Sequence, residues 1–226
     1  YTTIRAKRVP AAGANFLRTL RDDGVEYIEV RLLDVNPYLP LGVDATTMRF
    51  LDILLLHCLL SESPIHEGPL CRSVDENVVE VVSNGRDTST MLSDNGEAKS
   101  IHQWGKEILD QLKLIAAYLD EEEGSEHHQK AISAQLDKIE DSSLTPSGKI
   151  LADMGSQSIP FFRFSMNQSL KHKEYFLNQA LSEKERSHFD AIAAKSIKDQ
   201  MIIEEQEDIP FETYLKNLNH EYQKLI

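Results

Sequence analysis

Cysteine, long apolar runs and glycine-rich motifs are all scarce in this chain of 226 residues. Its 2 cysteines are too few for a disulfide scaffold and lack the C-x-x-C spacing of a zinc site, so a reducing cytoplasm is expected. The longest apolar run, Ile53 to Leu60, is less than half of the roughly 20 residues that span a bilayer. No apolar segment follows the basic opening residues. We therefore expect neither a signal peptide nor a membrane partner.

The chain also has fewer basic than acidic residues. The chain has 24 basic and 37 acidic residues, a net charge of −13, whereas clustered Lys and Arg drive binding to nucleic acids. Nucleic acid is therefore not expected as a partner. The imbalance is uneven along the chain, because residues 1–40 hold six basic and five acidic side chains. An anionic substrate should accordingly bind near the start of the sequence.

The motifs of several nucleotide and metal enzymes are missing. The sequence contains no P-loop, no G-x-G-x-x-G and no H-E-x-x-H, so a nucleotide would have to be bound in another way. What is present is a composition of 41% hydrophobic and 27% charged residues, which is typical of a packed domain. His127 and His128 fall at the start of an acidic helical segment, where we expect both to be exposed.

Two zones follow one another along the chain. Residues 1–99 mix strand-like segments, proline turns and one apolar helix, whereas residues 100–226 have an almost continuous helical pattern. Capping residues and prolines predict helices at about 101–120, 126–140, 146–154, 165–181, 183–206 and 210–224. The predicted fold class is α+β, with one domain at 1–99 and a helical domain at 100–226.

In the first zone, the segment Val25–Leu33 is predicted to be a strand. Alternation gives it a face that we expect to be buried, formed by Glu26, Ile28, Val30 and Leu32. A helix from about Ala45 to Ser61 is apolar on nearly every side and should be the core spine behind this strand. Asn84-Gly85 predicts a hairpin that joins Val78–Val82 to Thr88–Leu92.

The opposite face of the strand carries Glu29 and Arg31, whose Cα atoms should lie roughly 6 to 7 Å apart. Mg²⁺ prefers carboxylate oxygens and a guanidinium offers a planar fork to phosphate, so the pair could serve one metal and nucleotide site. The alternative is an ordinary ion pair on a solvated strand. Tyr1, Arg5 and Lys7 share a face of the extended opening segment. They could bind a carboxylate or a triphosphate, or form a solvated basic edge.

A long motif carries a family resemblance. The run Val25–Tyr38 and its continuation Pro40–Asp44 closely resemble the C-terminal half of the proteobacterial glutamate–cysteine ligases, also called γ-glutamylcysteine synthetases. The segments Tyr1–Arg8 and Arg49–Asp52 are similar to the same family. These motifs cover about the first 60 residues, and the helical tail agrees in arrangement and only loosely in sequence.

The resemblance implies a fold similar to that of glutamine synthetase, with an antiparallel sheet curled around the metals. It also implies a cytoplasmic, ATP-dependent ligase that joins the γ-carboxylate of L-glutamate to the amino group of L-cysteine. The reaction would pass through a γ-glutamyl phosphate as the first step of glutathione biosynthesis. ATP and Mg²⁺, or Mn²⁺, are the implied cofactors.

The same resemblance assigns roles to individual residues. Arg31 matches a catalytic, phosphate-contacting arginine and Glu29 matches a metal ligand. Arg5 and Lys7 are implied as further ATP contacts, and Tyr1 matches a tyrosine at the cysteine site. The other metal-binding glutamates of the family lie upstream of Tyr1. We therefore expect a C-terminal portion that needs a missing N-terminal portion and is inactive alone.

Two other functions remain open at this point. A non-catalytic helical interaction module derived from this fold would use its acidic helices as the working surface. A related carboxylate–amine ligase would keep the chemistry and take a different acceptor amine. An open reading frame that continues upstream of Tyr1 would favour the ligase.

Overall fold

The computed structural model describes residues 3–11, 14–63, 65, 67–206 and 209–223. Within these residues the strands are β1 (Ile4–Lys7), β2 (Tyr27–Val30), β3 (Met91–Asp94) and β4 (Glu97–Ser100). The helices are α1 (Phe16–Asp23), α2 (Ala45–Leu60), α3 (Pro69–Asn84), α4 (Ile101–Glu123), α5 (His127–Glu140), α6 (Pro146–Gln157), α7 (Phe161–Leu177), α8 (Glu183–Glu205) and α9 (Phe211–Gln223). β1 pairs with β2 and β3 with β4, both antiparallel. This combination of small antiparallel sheets and many helices confirms the predicted α+β class.

The chain divides into two compact units. Unit 1 comprises residues 1–34 and 178–226, and unit 2 comprises residues 35–177. The paired strands β1 and β2 and the helices α1, α8 and α9 therefore belong to unit 1, and the other elements to unit 2. The predicted boundary between residues 99 and 100 stays a prediction. In the part of the chain that the structure describes, no helix is both long and apolar enough to cross a membrane.

Three helices build the core of unit 2. Their buried side chains form one cluster of Ile53 from α2, Leu109, Leu112 and Ala116 from α4, and Ile132 from α5. Gly105 lets α4 approach α5 closely, because a Cβ at this position would lie 2.7 Å from Cδ1 of Ile139. The prediction that the apolar helix after Asp44 forms a core spine is confirmed, with α4 and α5 as its packing partners. Its predicted position behind the strand Val25–Leu33 stays a prediction.

Local signals in the sequence set the helix ends. Ser100 accepts a hydrogen bond from the Gln103 amide at 3.1 Å, and Ser182 forms a reciprocal capping box with Glu185. Gly124 ends α4 in the left-handed conformation, with φ of 62°. All six helices predicted between residues 100 and 226 are confirmed, although α7 begins at Phe161 rather than near residue 165.

The predicted hairpin around Asn84-Gly85 is wrong. Pro69 begins a helix there, and α3 continues through Val78–Val82 to Asn84, so the first predicted strand is helical. Of the second predicted strand, Thr88–Leu92, only Met91 and Leu92 lie in a strand, β3. The reason is that Val74, Val78 and Val81 recur at helical spacing, which the strand-forming preference of valine concealed. The hairpin lies one segment later, where Asn95 and Gly96 both have positive φ, at 52° and 92°, as a tight two-residue turn requires.

The predicted strand of unit 1 is confirmed but shorter than expected, and its proposed buried face is wrong. β2 ends at Val30, and the apolar side chains of Ile28 and Leu32 remain 45% and 58% exposed. Alternation identifies which residues share a face, but it does not show that another layer covers that face. The antiparallel pair of β1 and β2 is therefore a ribbon with both faces accessible along much of its length.

Candidate functional site

The β1–β2 ribbon brings the predicted site residues together. Arg5 lies directly opposite Glu29, and Lys7 lies opposite Tyr27. The Arg31 amide donates to the Thr3 carbonyl at 2.8 Å, which extends the pairing by one step. Because side chains alternate along each strand and opposite residues share a side, these five side chains lie on one face of the ribbon. We call this face, with Arg5, Lys7, Tyr27, Glu29 and Arg31, the basic face.

Glu29 is the centre of the ion pairs on the basic face. Nη2 of Arg31 donates to both carboxylate oxygens of Glu29, at 3.0 and 3.1 Å, and Nζ of Lys7 lies 3.4 Å from Oε2. The hydrogen bond from Arg31 and, to a smaller extent, that from Lys7 hold the pKa of Glu29 below its usual range. Glu29 therefore stays ionised to a lower pH than an unpaired glutamate does.

The remaining cations of the basic face are accessible. Nζ of Lys7 lies 5.5 Å from the centre of the Phe16 ring, which fixes its direction by a cation–π contact. Arg5 is exposed and makes no ion pair within the described residues. Three cations thus face one carboxylate, so the face carries a net positive charge in an otherwise acidic chain. This arrangement can bind a phosphate chain.

The donor set of the basic face does not fit a complete divalent metal site. Mg²⁺ takes about six oxygens in near-octahedral geometry, and Glu29 supplies one carboxylate that Arg31 already holds. No group of three or more histidine, cysteine or acidic side chains that could hold a metal occurs among the described residues. The role of Glu29 as one metal ligand stays a prediction, and any complete metal site would need further carboxylates.

Tyr1, the predicted contact for cysteine, lies outside the described residues. The ATP-binding roles of Arg5 and Lys7 and the catalytic role of Arg31 also stay predictions. What the structure adds is their geometry, since it gathers these three cations on one face. On spacing alone an ordinary ion pair was the alternative, and the Glu29–Arg31 pair does form.

The second half of the long motif is anchored in unit 2. The Tyr38 hydroxyl donates to Oδ2 of Asp153 at 2.9 Å, and the Tyr38 ring lies edge-on to Phe164 with centroids 5.7 Å apart. Burial, together with the Asp153 carboxylate, raises the pKa of Tyr38 to about 12. Nε2 of His172 contacts the Pro37 carbonyl at 2.8 Å. These contacts join the motif to α6 and α7, which sequence spacing could not reveal because the partners are more than 100 residues apart.

A buried polar cluster was missed. Asp120, only 2% exposed, accepts hydrogen bonds at 2.9 Å from the amides of His128 and Gln129 and from Nδ1 of His128. Ser125 donates to the same carboxylate at 3.0 Å. The expectation that His128 is exposed is therefore wrong, since its exposure is 5%. The signal available in sequence was an acidic residue placed before the turn at Gly124, in position to accept from the next helix start.

A cavity of about 340 Å³ lies elsewhere in unit 2, between α6 and α7. Its polar lining includes Asp153, Asn167 and Lys171, and it shares no residue with the basic face. Asp153 is already engaged by Tyr38. The cavity therefore adds no group to the candidate site.

Comparison with known proteins gives one consistent family. The model of the family described as glutamate–cysteine ligase matches residues 1–81, which include the whole basic face. A glutamate–cysteine ligase of Pseudomonas fluorescens strain Pf-5 is 41% identical over 215 residues, which are 95% of this chain and 40% of that protein. A glutamate–cysteine ligase of Pseudomonas aeruginosa PAO1 is 38% identical over the same length, 41% of that protein. The chain thus spans about two fifths of the length of these curated relatives.

A solved structure agrees with the fold. The crystal structure of a glutamate–cysteine ligase from Francisella tularensis in complex with AMP matches 100% of this chain and 44% of that chain, with a TM-score of 0.87. The two sequences are 23% identical, so this likeness concerns the fold. The small antiparallel sheets and helices described above are therefore arranged as in part of that larger chain.

Proposed function

We propose, from the premise that this chain belongs to the glutamate–cysteine ligase family, that it is the C-terminal portion of an ATP-dependent ligase. The ligase would join the γ-carboxylate of L-glutamate to the amino group of L-cysteine, the first step of glutathione biosynthesis. One observation carries the proposal. The strands that contain the family motif present Arg5, Lys7 and Arg31 together on the basic face.

The chemistry requires cations at this place. A carboxylate is a poor electrophile, so its oxygen first attacks the γ-phosphorus of ATP and ADP leaves. The cysteine nitrogen then attacks the acyl carbon, phosphate leaves and the nitrogen loses a proton. Negative charge gathers on the transferring phosphoryl group in the first step, and fixed cations lower the energy of that transition state. Arg31 is the residue we assign to this role, with Arg5 and Lys7 holding the other phosphates.

Besides its predicted role as a metal ligand, Glu29 has a positioning role in the proposal. By holding Arg31 and Lys7 through three short contacts, it fixes the direction of two phosphate-binding cations. The Mg²⁺ or Mn²⁺ of the proposed reaction would need carboxylates from the rest of the enzyme beside Glu29. Tyr1 is proposed to contact the cysteine substrate, and we propose the cytoplasm as the site of the reaction, consistent with the low cysteine content.

A chimera tests the function directly. This chain would replace the matched 215 residues of the Pseudomonas fluorescens relative, so that the larger remaining part of a ligase is present. We expect ADP release that requires Mg²⁺, glutamate and cysteine together. Arg31→Ala should lower kcat on the order of 100-fold or more, because an oriented cation at the transferring phosphoryl group is lost.

Arg21→Ala provides the matched control, since Arg21 is an exposed arginine of the same unit that pairs with Asp22 at 2.7 Å. Its rate should stay within about twofold of the parent chimera. A folded chimera without ligase activity, or equal rates for the two arginine variants, would contradict the proposal. Glutamate-dependent ADP release that needs another amine in place of cysteine would support the related ligase instead.

A further inference from the structure

Helix α2 has two apolar sides, and the described residues cover one of them. Successive residues of a helix turn by about 100°, so Phe50, Ile53 and Leu54 lie together on one side. They contact the core formed with α4 and α5. The opposite side carries Met48, Leu55, Leu56 and Leu59, which we call the outer face of α2. On this face Leu59 is 79%, Met48 57% and Leu56 36% exposed, and Leu55 is half-buried, so the face is only partly covered.

A neighbouring helix of the same core shows what a water-facing side looks like in this chain. The outward side of α4 also has one highly exposed leucine, Leu114, at 82%. Its neighbours one turn back are Asp110 and Gln111, and Lys113 pairs with Asp110 at 2.6 Å. Leu114 thus has polar and charged neighbours one turn back and the exposed Tyr118 one turn on, and so small an apolar spot needs no cover. The leucines one turn back from Leu59 are Leu55 and Leu56, and such a continuous apolar face is typical of a helix enclosed on both sides.

We propose that the outer face of α2 is the surface on which the remainder of the ligase chain packs. The length of the relatives identifies what would cover the outer face of α2, because 60% of the Pseudomonas fluorescens relative lies outside the segment that this chain matches. α2 lies within residues 1–81, the part that matches the family model and also carries the basic face. Asp52 lies on the outer face among the apolar side chains, so the occupant should present an apolar surface with a polar group opposite Asp52.

This inference rests on the family membership and not on the reaction, and thiol labelling tests it without an activity assay. Leu59→Cys and Leu114→Cys would be made separately in a chain whose own thiols are removed by Cys58→Ser and Cys71→Ser. In the isolated chain the two cysteines should react with a maleimide at similar rates, because Leu59 and Leu114 are almost equally exposed. In the chimera described above, Leu59→Cys should react at least about tenfold more slowly, and Leu114→Cys should change by less than about twofold.

Every outcome of the labelling experiment either supports or overturns the proposed packing surface. Equal labelling of both positions in the chimera would overturn the proposal. Protection of Leu59→Cys that grows with the concentration of the isolated chain would assign the face to a second copy and overturn it as well. If the chimera does not fold, the same labelling can be done on the Pseudomonas relative, with cysteine substituted at the positions aligned with Leu59 and Leu114. A chimera that protects Leu59→Cys but releases no ADP would contradict the proposed reaction and still support the proposed packing surface.

Discussion

The α2–α4–α5 core of unit 2 and the β1–β2 ribbon of unit 1 are opposites in how their residues are used. In the core, five apolar side chains are almost completely removed from water and define how three helices pack. In the ribbon, the side chains of Lys7, Glu29 and Arg31 keep between 24% and 38% of their surface accessible and interact mainly through charge. Stability and candidate chemistry thus reside in different units. Substitutions in the two regions should therefore affect different measurements.

The largest effect is expected from removing packing in the core. Leu112→Ala deletes a fully buried side chain of α4, and Leu-to-Ala changes at such sites cost about 2 to 5 kcal/mol because a cavity remains. Urea denaturation followed by circular dichroism would measure the loss. Leu114→Ala on the same helix is the control and should stay within about 0.5 kcal/mol, because Leu114 faces water. Similar losses at both positions would show that this core does not determine stability.

The next effect concerns the buried carboxylate at the α4–α5 turn. Burial alone would raise the pKa of Asp120, but the hydrogen bonds from Gln129, His128 and Ser125 outweigh it and hold the pKa well below the usual range. Asp120→Asn should cost about 1.5 to 3 kcal/mol at pH 7, since donors aligned on a carboxylate lose their charged acceptor.

The pH dependence of this loss has a definite sign. Because the folded-state pKa of Asp120 is lowered, its stabilising contribution is complete above the ordinary carboxyl range near pH 4 and is lost as the pH falls toward the folded-state value. The difference in unfolding free energy between parent and Asp120→Asn should therefore shrink below about pH 4. A difference that stays constant down to pH 2 would contradict this account of the cluster.

The smallest effect on stability is expected on the ribbon, where the effect on binding should be larger. Glu29→Gln should leave the urea midpoint unchanged, because the ion pairs of Glu29 are accessible to water. The same change frees Arg31 and Lys7 from their carboxylate, so the isolated chain should bind inorganic tripolyphosphate about threefold to fivefold more tightly. Isothermal titration calorimetry at low ionic strength would measure this gain.

Asp22→Asn is the matched control for charge, since it removes one carboxylate from another ion pair of unit 1. It should leave tripolyphosphate binding nearly unchanged if the basic face is the binding surface. Equal gains for both variants would mean that net charge, and not this face, governs binding.

The sequence predicted those features that depend on neighbours a few positions away. Ser100, Gly124 and Ser182 delimit helices by hydrogen bonds within one turn, and alternation alone placed Glu29 and Arg31 on one side. It could not show which side of β2 would be covered, because that depends on distant elements. The pairing of Arg5 with Glu29 likewise requires the register between two strands, which is set only when the two distant strands pair.

The sequence predicts which residues form the candidate site, and the structure adds the contacts between their side chains. The family resemblance implies that Lys7 contacts ATP, and the structure adds its contacts with Glu29 and Phe16, which strand alternation does not reveal. His128 was misjudged because its partner, Asp120, lies across a turn on another helix. Errors of this kind arise where the decisive contact joins two elements.

Helix α3 has a consequence for handling the chain. Its five valines suit extended pairing better than a helix, which is also why the segment resembled a hairpin strand. Whenever α3 unfolds, the stretch from Asn77 to Ser83 becomes a short β-prone segment that can stack with copies of itself. Glu80 in its middle sets like charges against one another in such a stack and opposes aggregation. Refolding should therefore lose most material at high concentration and at low pH, where that charge is neutralised.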